Sequence, residues 1–423
     1  METTDTLVHE RLGGDLDVVG QPMPGVESAA VGILIGTGAR DEAPSNFGVS
    51  HFTEQMLWRG TEHYDARALS DRFDSLGIDY DSSAGIEMTL LNAVLIGERL
   101  PDALELLLDV VRFPAFPEDA LEQVRALMLQ EIRQREDRPA QKVLDELRQK
   151  YFSGSPLSHD ALGSEETISA LSRADLLAYW RSRYSANNIT ISVAGNFEWD
   201  RLLDDLRERT AGWPQGAGRM SFAPPDVRAG MHAELRELSQ EHIGFAFPGV
   251  PAADPQYYAG QLLSQILGGG VTSRLYRSVR EERGLAYAVQ SRFDGLERCG
   301  LFRIYVGTRV DRAPESVEVI TSELRKLESN GVTEEELALA KTRVKSQFVM
   351  RSESTSARMM ANLRSWWFEE ALHDLEDVKW RIDAVTREDI ADVIVRLGVT
   401  RNLAAFALGP RTEDELFGIV VSR

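Results

Sequence analysis

The chain has 423 residues, 43% hydrophobic and 27% charged, an ordinary globular composition with length for roughly two to four domains and a core that needs no disulfide or metal staple. Its 47 Lys and Arg against 67 Asp and Glu leave a formal charge of −20, which repels phosphate backbones and argues against a general nucleic-acid binder. The single cysteine, Cys299, excludes an intrachain disulfide and a cysteine zinc site; with no signal-peptide pattern in METTDTLVHERLGGDLDVV and no window near the ~18 apolar residues of a membrane helix, a soluble cytoplasmic protein is expected.

In chain order, residues 18–19 and 28–36 alternate or run apolar between Gly and Pro, the pattern of a hairpin. A helix is expected from about Gly48 and another, by apolar spacing, over 65–76. Residues 80–96 read as strands that turn at Gly85. Residues 101–111 and 117–135 read as helices, each opening on Pro with acids close behind. A helix over 172–184 has a Ser N-cap followed three residues later by Asp175, and 188–194 is a buried strand closed by Gly195. The Gly- and Pro-rich stretch 211–228 has the composition of a linker. A second series of elements begins near Ala233 and ends on a strand over 402–408.

The two series are copies of one pattern. Residues 171–196 (LSRADLLAYWRSRYSANNITISVAGN) lie against 385–410 (VTREDIADVIVRLGVTRNLAAFALGP) without a gap: Ser172 meets Thr386, Asp175 meets Asp389, Asn188 meets Asn402 and Gly195 meets Gly409, at a shared offset of 386 − 172 = 214. Upstream, PEDALEQV at 117 faces TEEELALA at 333, offset 216, and HFTEQMLWRG at 51 faces QLLSQILGGG at 261, offset 210. Loop insertions produce such drift, and a period near 210 is too long for a solenoid. Strands followed by helices, without strict βαβ alternation, predict an α+β fold. Two homologous α/β-sandwich halves, residues 1–210 and 229–423, are joined by the linker 211–228.

The first half carries a candidate metal motif. On a helix, positions i, i+3 and i+4 share a face, so His51, Glu54 and Gln55 point the same way. A His and a second ligand one turn apart can reach one zinc ion, and a neighbouring carboxylate can serve as base toward a metal-bound water. That is the logic of the inverted zinc signature H-x-x-E-H, with Gln55 in the last position. His63 is a candidate replacement ligand, but it lies beyond Gly60-Thr61, where the helix should end. Gly268-Gly269-Gly270 lacks the Lys-Ser/Thr of a phosphate loop and reads as a helix end. Trp366-Trp367-Phe368 and Met359-Met360 read as packing.

GARDE at 38, NFGVSHF at 46 and RGT at 59 resemble the pitrilysin/insulinase family of zinc peptidases, whose pattern is G-x-R-x-E followed by G-x-x-H-x-x-E-H-x-x-x-x-G-T. The family's third ligand is a Glu 76 or 77 residues after the second His, and Glu131 lies 131 − 55 = 76 after Gln55. Pro156-Leu157, Leu162-Gly163, Tyr184 and VAGN at 193 match later landmarks. SRLYRSVREERGLAY at 273–287 is similar to the family's C-terminal substrate element, with Arg280 and Tyr287 seven residues apart. The resemblance covers the whole chain. It implies duplicated α+β halves that face each other as a clam-shell around an extended peptide, metal ligands at His51, Gln55 and Glu131, a catalytic base at Glu54, and substrate contacts from Arg280, Tyr287 and the strand carrying Asp81 and Ser82.

Three positions depart from the family pattern. Gln55 replaces a zinc-ligating imidazole, Asp81-Ser82 stand where Asn-Ala is frequent, and Val124 occupies the place of an acid seven residues before Glu131. An amide oxygen is a poorer zinc ligand than imidazole nitrogen, so Zn2+ is expected to bind poorly or not at all. The resulting expectation is a catalytically impaired or non-catalytic subunit that binds extended peptides in a closed chamber, as a homodimer or as a heterodimer with a related peptidase subunit, without nucleic acid or membrane. The alternatives are an active zinc endopeptidase of unfolded peptides and a structural scaffold.

Overall fold

The computed structural model describes residues 6–421, so the first five residues of the N-terminal stretch read above and the last two of the chain lie outside the described residues. Strands β1 (Val8–Leu12), β2 (Leu16–Pro22), β3 (Ser28–Ile35), β4 (Asp79–Ala84), β5 (Thr89–Ile96) and β6 (Ile189–Gly195) form a sheet in the order β1-β2-β6-β3-β5-β4. Strands β7 (Gly230–Leu235), β8 (Glu241–Gly249), β9 (Ala286–Gly295), β10 (Gly300–Thr308) and β11 (Ala404–Gly409) form a second, in the order β7-β11-β8-β10-β9. Without β1 the two orders are the same. The pairs β2/β6 and β7/β11 are parallel, and every other neighbouring pair is antiparallel. The offset of Gly195 to Gly409 is therefore the offset of β6 to β11, and the duplication is one of topology. The copies share their caps as well: Ser172 and Thr386 each close a capping box with the Asp three residues on, opening the helices Arg173–Arg183 and Arg387–Leu397.

The apolar runs at 18–19 and 28–36 do not form a hairpin with one another. β6 lies between them, parallel to β2 (Val19 opposite Ser192) and antiparallel to β3 (Gly32 opposite Ser192). The reason is burial. All of β6 and nearly all of β2 and β3 are inaccessible, so each needs strands on both edges and cover on both faces. β2 makes its hairpin with β1 instead.

The chain resolves into two compact units. One comprises the described residues up to Arg133 with His159–Ser221 and Val349–Glu376; the other comprises Gln134–Ser158, Phe222–Phe348 and the chain from Asp377 on. Residues 211–228 contain neither helix nor strand. Each unit borrows a helix from the other half of the sequence. In the first unit Thr355–Glu369 packs on β2, β3 and β6, where Met359, Leu363 and Trp367 bury Met23, Ala30, Leu34 and Ala194. Gly32 and Gly36 make room for it: a Cβ on either would fall 2.3 Å from Met359 Sδ or the Trp367 ring. In the second unit Pro139–Tyr151 packs on β8 and β11, with Leu147 against Gly244. The opposite face of the first sheet carries the larger core, including Phe52, Met56, Phe73 and Leu107. No helix among the described residues is long and apolar enough to cross a membrane.

Candidate functional site

His51 sits in the helix Val49–Leu57, whose start is built from a distance. The helix opens on Gly48 at φ +90°, with no side-chain cap of its own. Glu42 supplies the cap from six residues upstream, its two carboxylate oxygens accepting the N–H groups of Gly48 and Ser50 at 2.8 Å each. Burial pushes the Glu42 carboxyl up to about 7, against the lowering effect of the Ser50 and Gly48 hydrogen bonds. The rest of the GARDE stretch is also structural. Arg40 is buried in an ion pair with Glu87, and Asp41 accepts from the Gly38 N–H at 2.9 Å. Ser50 and Thr37 share the buried Tyr179 hydroxyl at 2.6 and 2.7 Å. Spacing along the sequence points to none of these supports. The available signal was a helix beginning on glycine with no Ser, Thr, Asp or Asn to cap it.

The structure brings His51, Glu54, Gln55 and Glu131 together. His51 Nε2 lies 2.9 Å from Oε2 of Glu131, on the helix Glu118–Glu136, and His51 Nδ1 lies 3.3 Å from Oε2 of Glu54. The Gln55 amide donates through Nε2 to the same Glu54 oxygen at 3.0 Å. Glu54 Oε1 accepts the hydroxyl of Ser82 on β4, and Ser82 Oγ accepts the Trp58 indole N–H at 2.7 Å. Glu54 is fully buried, whereas the Glu131 side chain is half exposed. Burial alone would lower the His51 pKa, but its hydrogen bonds to Glu131 and Glu54 outweigh that and push it up to about 9. His51 is thus held between two carboxylates that favour its protonated form. Asp81, the neighbour of Ser82 on β4, is exposed. His63 meets Asp109 through Nδ1 at 2.5 Å.

These residues do not fit a catalytic zinc ion. Such an ion takes three protein ligands from His and carboxylate groups and keeps a position open for water. Here His51 and Glu131 lie side by side, but the third position is an amide turned by its N–H toward Glu54. Among the described residues no three or more His, Cys, Asp or Glu side chains are arranged to hold a metal ion.

Arg280 and Tyr287 belong to the second unit, and each sits on an irregular piece of backbone. Arg280 lies in a single π-helical turn, Tyr276–Glu281, closed by the Glu282 N–H to Arg277 C=O bond at 2.9 Å. Its guanidinium lies 5.1 Å from the centre of the Tyr276 ring. Tyr287 is the extra residue of a β-bulge: Ala288 opposes Gly307 and Ala286 opposes Thr308, leaving Tyr287 without a partner on β10. The bulge turns its ring outward, 65% exposed. π-turns and bulges both re-aim side chains and cluster at functional sites.

Residues 18–165 match the insulinase family of peptidases (M16), and residues 170–344 match the domain described as the M16 inactive domain. An uncharacterized zinc protease of Bacillus subtilis is 30% identical over 87% of this chain and 90% of its own length. The chain belongs to the insulinase family. Another relative in that family's range, an uncharacterized zinc protease of Streptomyces coelicolor, is 29% identical over 97% of this chain and 91% of its own. In fold, this insulinase-family chain is similar to the M16 inactive-domain structure from Pseudomonas fluorescens, with a TM-score of 0.90 at 24% identity over 96% of this chain and 98% of that one. It is also similar to a protease from Helicobacter pylori, with a TM-score of 0.87 at 19% identity over 96% of this chain and all of that one.

Proposed function

We propose that this insulinase-family chain binds extended peptides and is catalytically impaired or a non-catalytic subunit, pairing with itself or with a related peptidase subunit. The observation that carries this reading is the state of Glu54. Its carboxylate is fully buried, takes hydrogen bonds from Ser82 and Gln55 and faces the His51 ring, so it is not presented to solvent to receive a proton from water. Peptide-binding features stand beside it. Among the described residues β4 is an edge strand that pairs with β5 alone, and it can add an extended peptide through main-chain hydrogen bonds. Arg280 and Tyr287 present directed donors on exposed side chains.

The test incubates the purified chain with a labelled unfolded peptide in the presence of zinc and follows binding and cleavage together. Binding without cleavage is expected, and the folded parent of the same peptide should not bind, because it offers no free strand. Equal affinity for the folded protein and its denatured fragment would sink the strand-addition mode.

A second reading, an active zinc endopeptidase, is favoured by the approach of His51 to both Glu54 and Glu131, and by the zinc-protease names of the relatives. A chain that holds stoichiometric zinc through dialysis and cuts the peptide would establish it.

A further inference from the structure

Glu54, Ser82 and Trp58 form a continuous link between the His51 helix and an edge strand. Ser82 Oγ is held from both sides, donating to Glu54 and accepting from Trp58 Nε1 at 2.7 Å. Trp58 is itself fixed: its ring lies 4.7 Å from that of Tyr80, also on β4, and Tyr80 lies 4.3 Å from Phe73. Among the described residues β4 has a neighbouring strand on one side only, β5, with Ser82 opposite Leu91. A strand tied by a single ladder frays and slips more readily than one with two. The hydroxyl of Ser82 is therefore committed inward, and β4 offers outward its open edge with the exposed side chains of Asp79, Asp81 and Ser83.

We propose that Glu54 acts in this chain as a positioning residue, which, through Ser82 and Trp58, holds edge strand β4 in register to receive an extended peptide. The inference rests on the peptide-binding reading above and gives the motif carboxylate a task other than proton transfer. The Ser82–Glu54 bond is charge-assisted and shielded from water, so its loss should be felt locally, along β4, before it is felt globally.

The experiment compares the full-length parent, Ser82→Ala and Ser82→Thr by hydrogen–deuterium exchange and by anisotropy of a fluorescein-labelled, unstructured basic peptide. In Ser82→Ala, amide exchange over residues 79–84 should rise about tenfold while β6 stays protected, and peptide affinity should fall by about the same factor, the size expected for one hydrogen bond to a charged group. Ser82→Thr restores the hydroxyl and should recover both. Trp58→Phe, which keeps the ring and removes only the indole N–H donor, should reproduce the Ser82→Ala change in weaker form and serves if Ser82→Ala does not fold. Unchanged exchange over β4 in Ser82→Ala overturns the link, whatever the affinity does. Raised exchange with unchanged affinity overturns the coupling to peptide. A parent that binds no peptide ends the proposed function instead, and β4 exchange still decides whether Glu54 holds the strand.

Discussion

Gly163 meets Gly48 backbone to backbone: a Cβ on Gly163 would lie 2.4 Å from the Phe47 carbonyl oxygen and 3.0 Å from the Gly48 Cα. Both residues have positive φ, +71° and +90°. The loop after Leu162 therefore closes on the first turn of the His51 helix only because neither residue carries a side chain. Gly163→Ala combines the left-handed penalty with a clash against backbone that cannot rotate away, so it should cost about 2 kcal/mol or more. Gly77, at φ +65° with open space for 4 Å around the place a methyl would take, isolates the conformational part, and Gly77→Ala should cost only about 1 kcal/mol. Chemical denaturation of the two variants measures the difference, and equal costs would show that the loop yields to the methyl.

Gln55→His should strengthen zinc binding over that of the parent. It restores an imidazole one helical turn from His51, with Glu131 already 2.9 Å from the His51 ring. Zinc must displace a proton from His51, whose pKa is about 9, so uptake should tighten as pH rises toward that value. Equilibrium dialysis with metal analysis reads this directly. A Gln55→His protein with no more zinc than the parent would show that His51, residue 55 and Glu131 cannot converge on one ion.

The stability of the first unit should depend on pH through Glu42. Its carboxyl is raised to about 7 from the ordinary 4.5, so the folded state binds the proton more tightly than the unfolded chain does. The stabilisation is fully present below about 4.5 and is lost as pH rises through 7, a total of up to about 3 kcal/mol for a shift of this size. Glu42→Gln removes the titration. With no proton to lose, the variant should decline less in stability between pH 4.5 and 7. Parallel pH profiles for the two proteins would contradict the prediction.

Arg280→Ala combined with Tyr287→Phe should weaken peptide binding by about 2–4 kcal/mol, one charge-assisted and one neutral hydrogen bond. Thermal stability should barely move, because both side chains are exposed and the Arg280 guanidinium rests only loosely, 5.1 Å from the centre of the Tyr276 ring. Unchanged affinity would return both residues to ordinary surface roles. A large fall in Tm would show instead that the π-turn and the bulge depend on them.

Much of the fold was legible because duplication leaves two readings of each element. The offset between Ser172 and Thr386 carried a capping box, a helix and a strand into matching places in two sheets. His51 and Glu131 were legible as a pair because a resemblance supplied a spacing that helical periodicity alone could not. Other features escaped for identifiable reasons. The insertion of β6 between β2 and β3 is a long-range pairing, and local apolar alternation looks the same whichever strand lies alongside. Trp367 read correctly as packing, but nothing in its neighbourhood says that the sheet it covers was formed more than 150 residues earlier; Ala194 alone lies 367 − 194 = 173 residues before it. The turn at Arg280 and the bulge at Tyr287 depend on single backbone hydrogen bonds and one unpaired residue, which composition does not encode.

The borrowed helices set an order on synthesis. When the ribosome has completed β6, the sheet face formed by Ala30, Leu34 and Ala194 has no cover, since Met359, Leu363 and Trp367 have yet to be made. The nascent first half must carry a bare apolar surface through the translation of more than a hundred further codons, from Gly195 to Thr355. Protein biogenesis would then require either a chaperone at that face or a delay in closing the sheet. A gene cut within residues 211–228 should yield two insoluble products that become soluble only when expressed together.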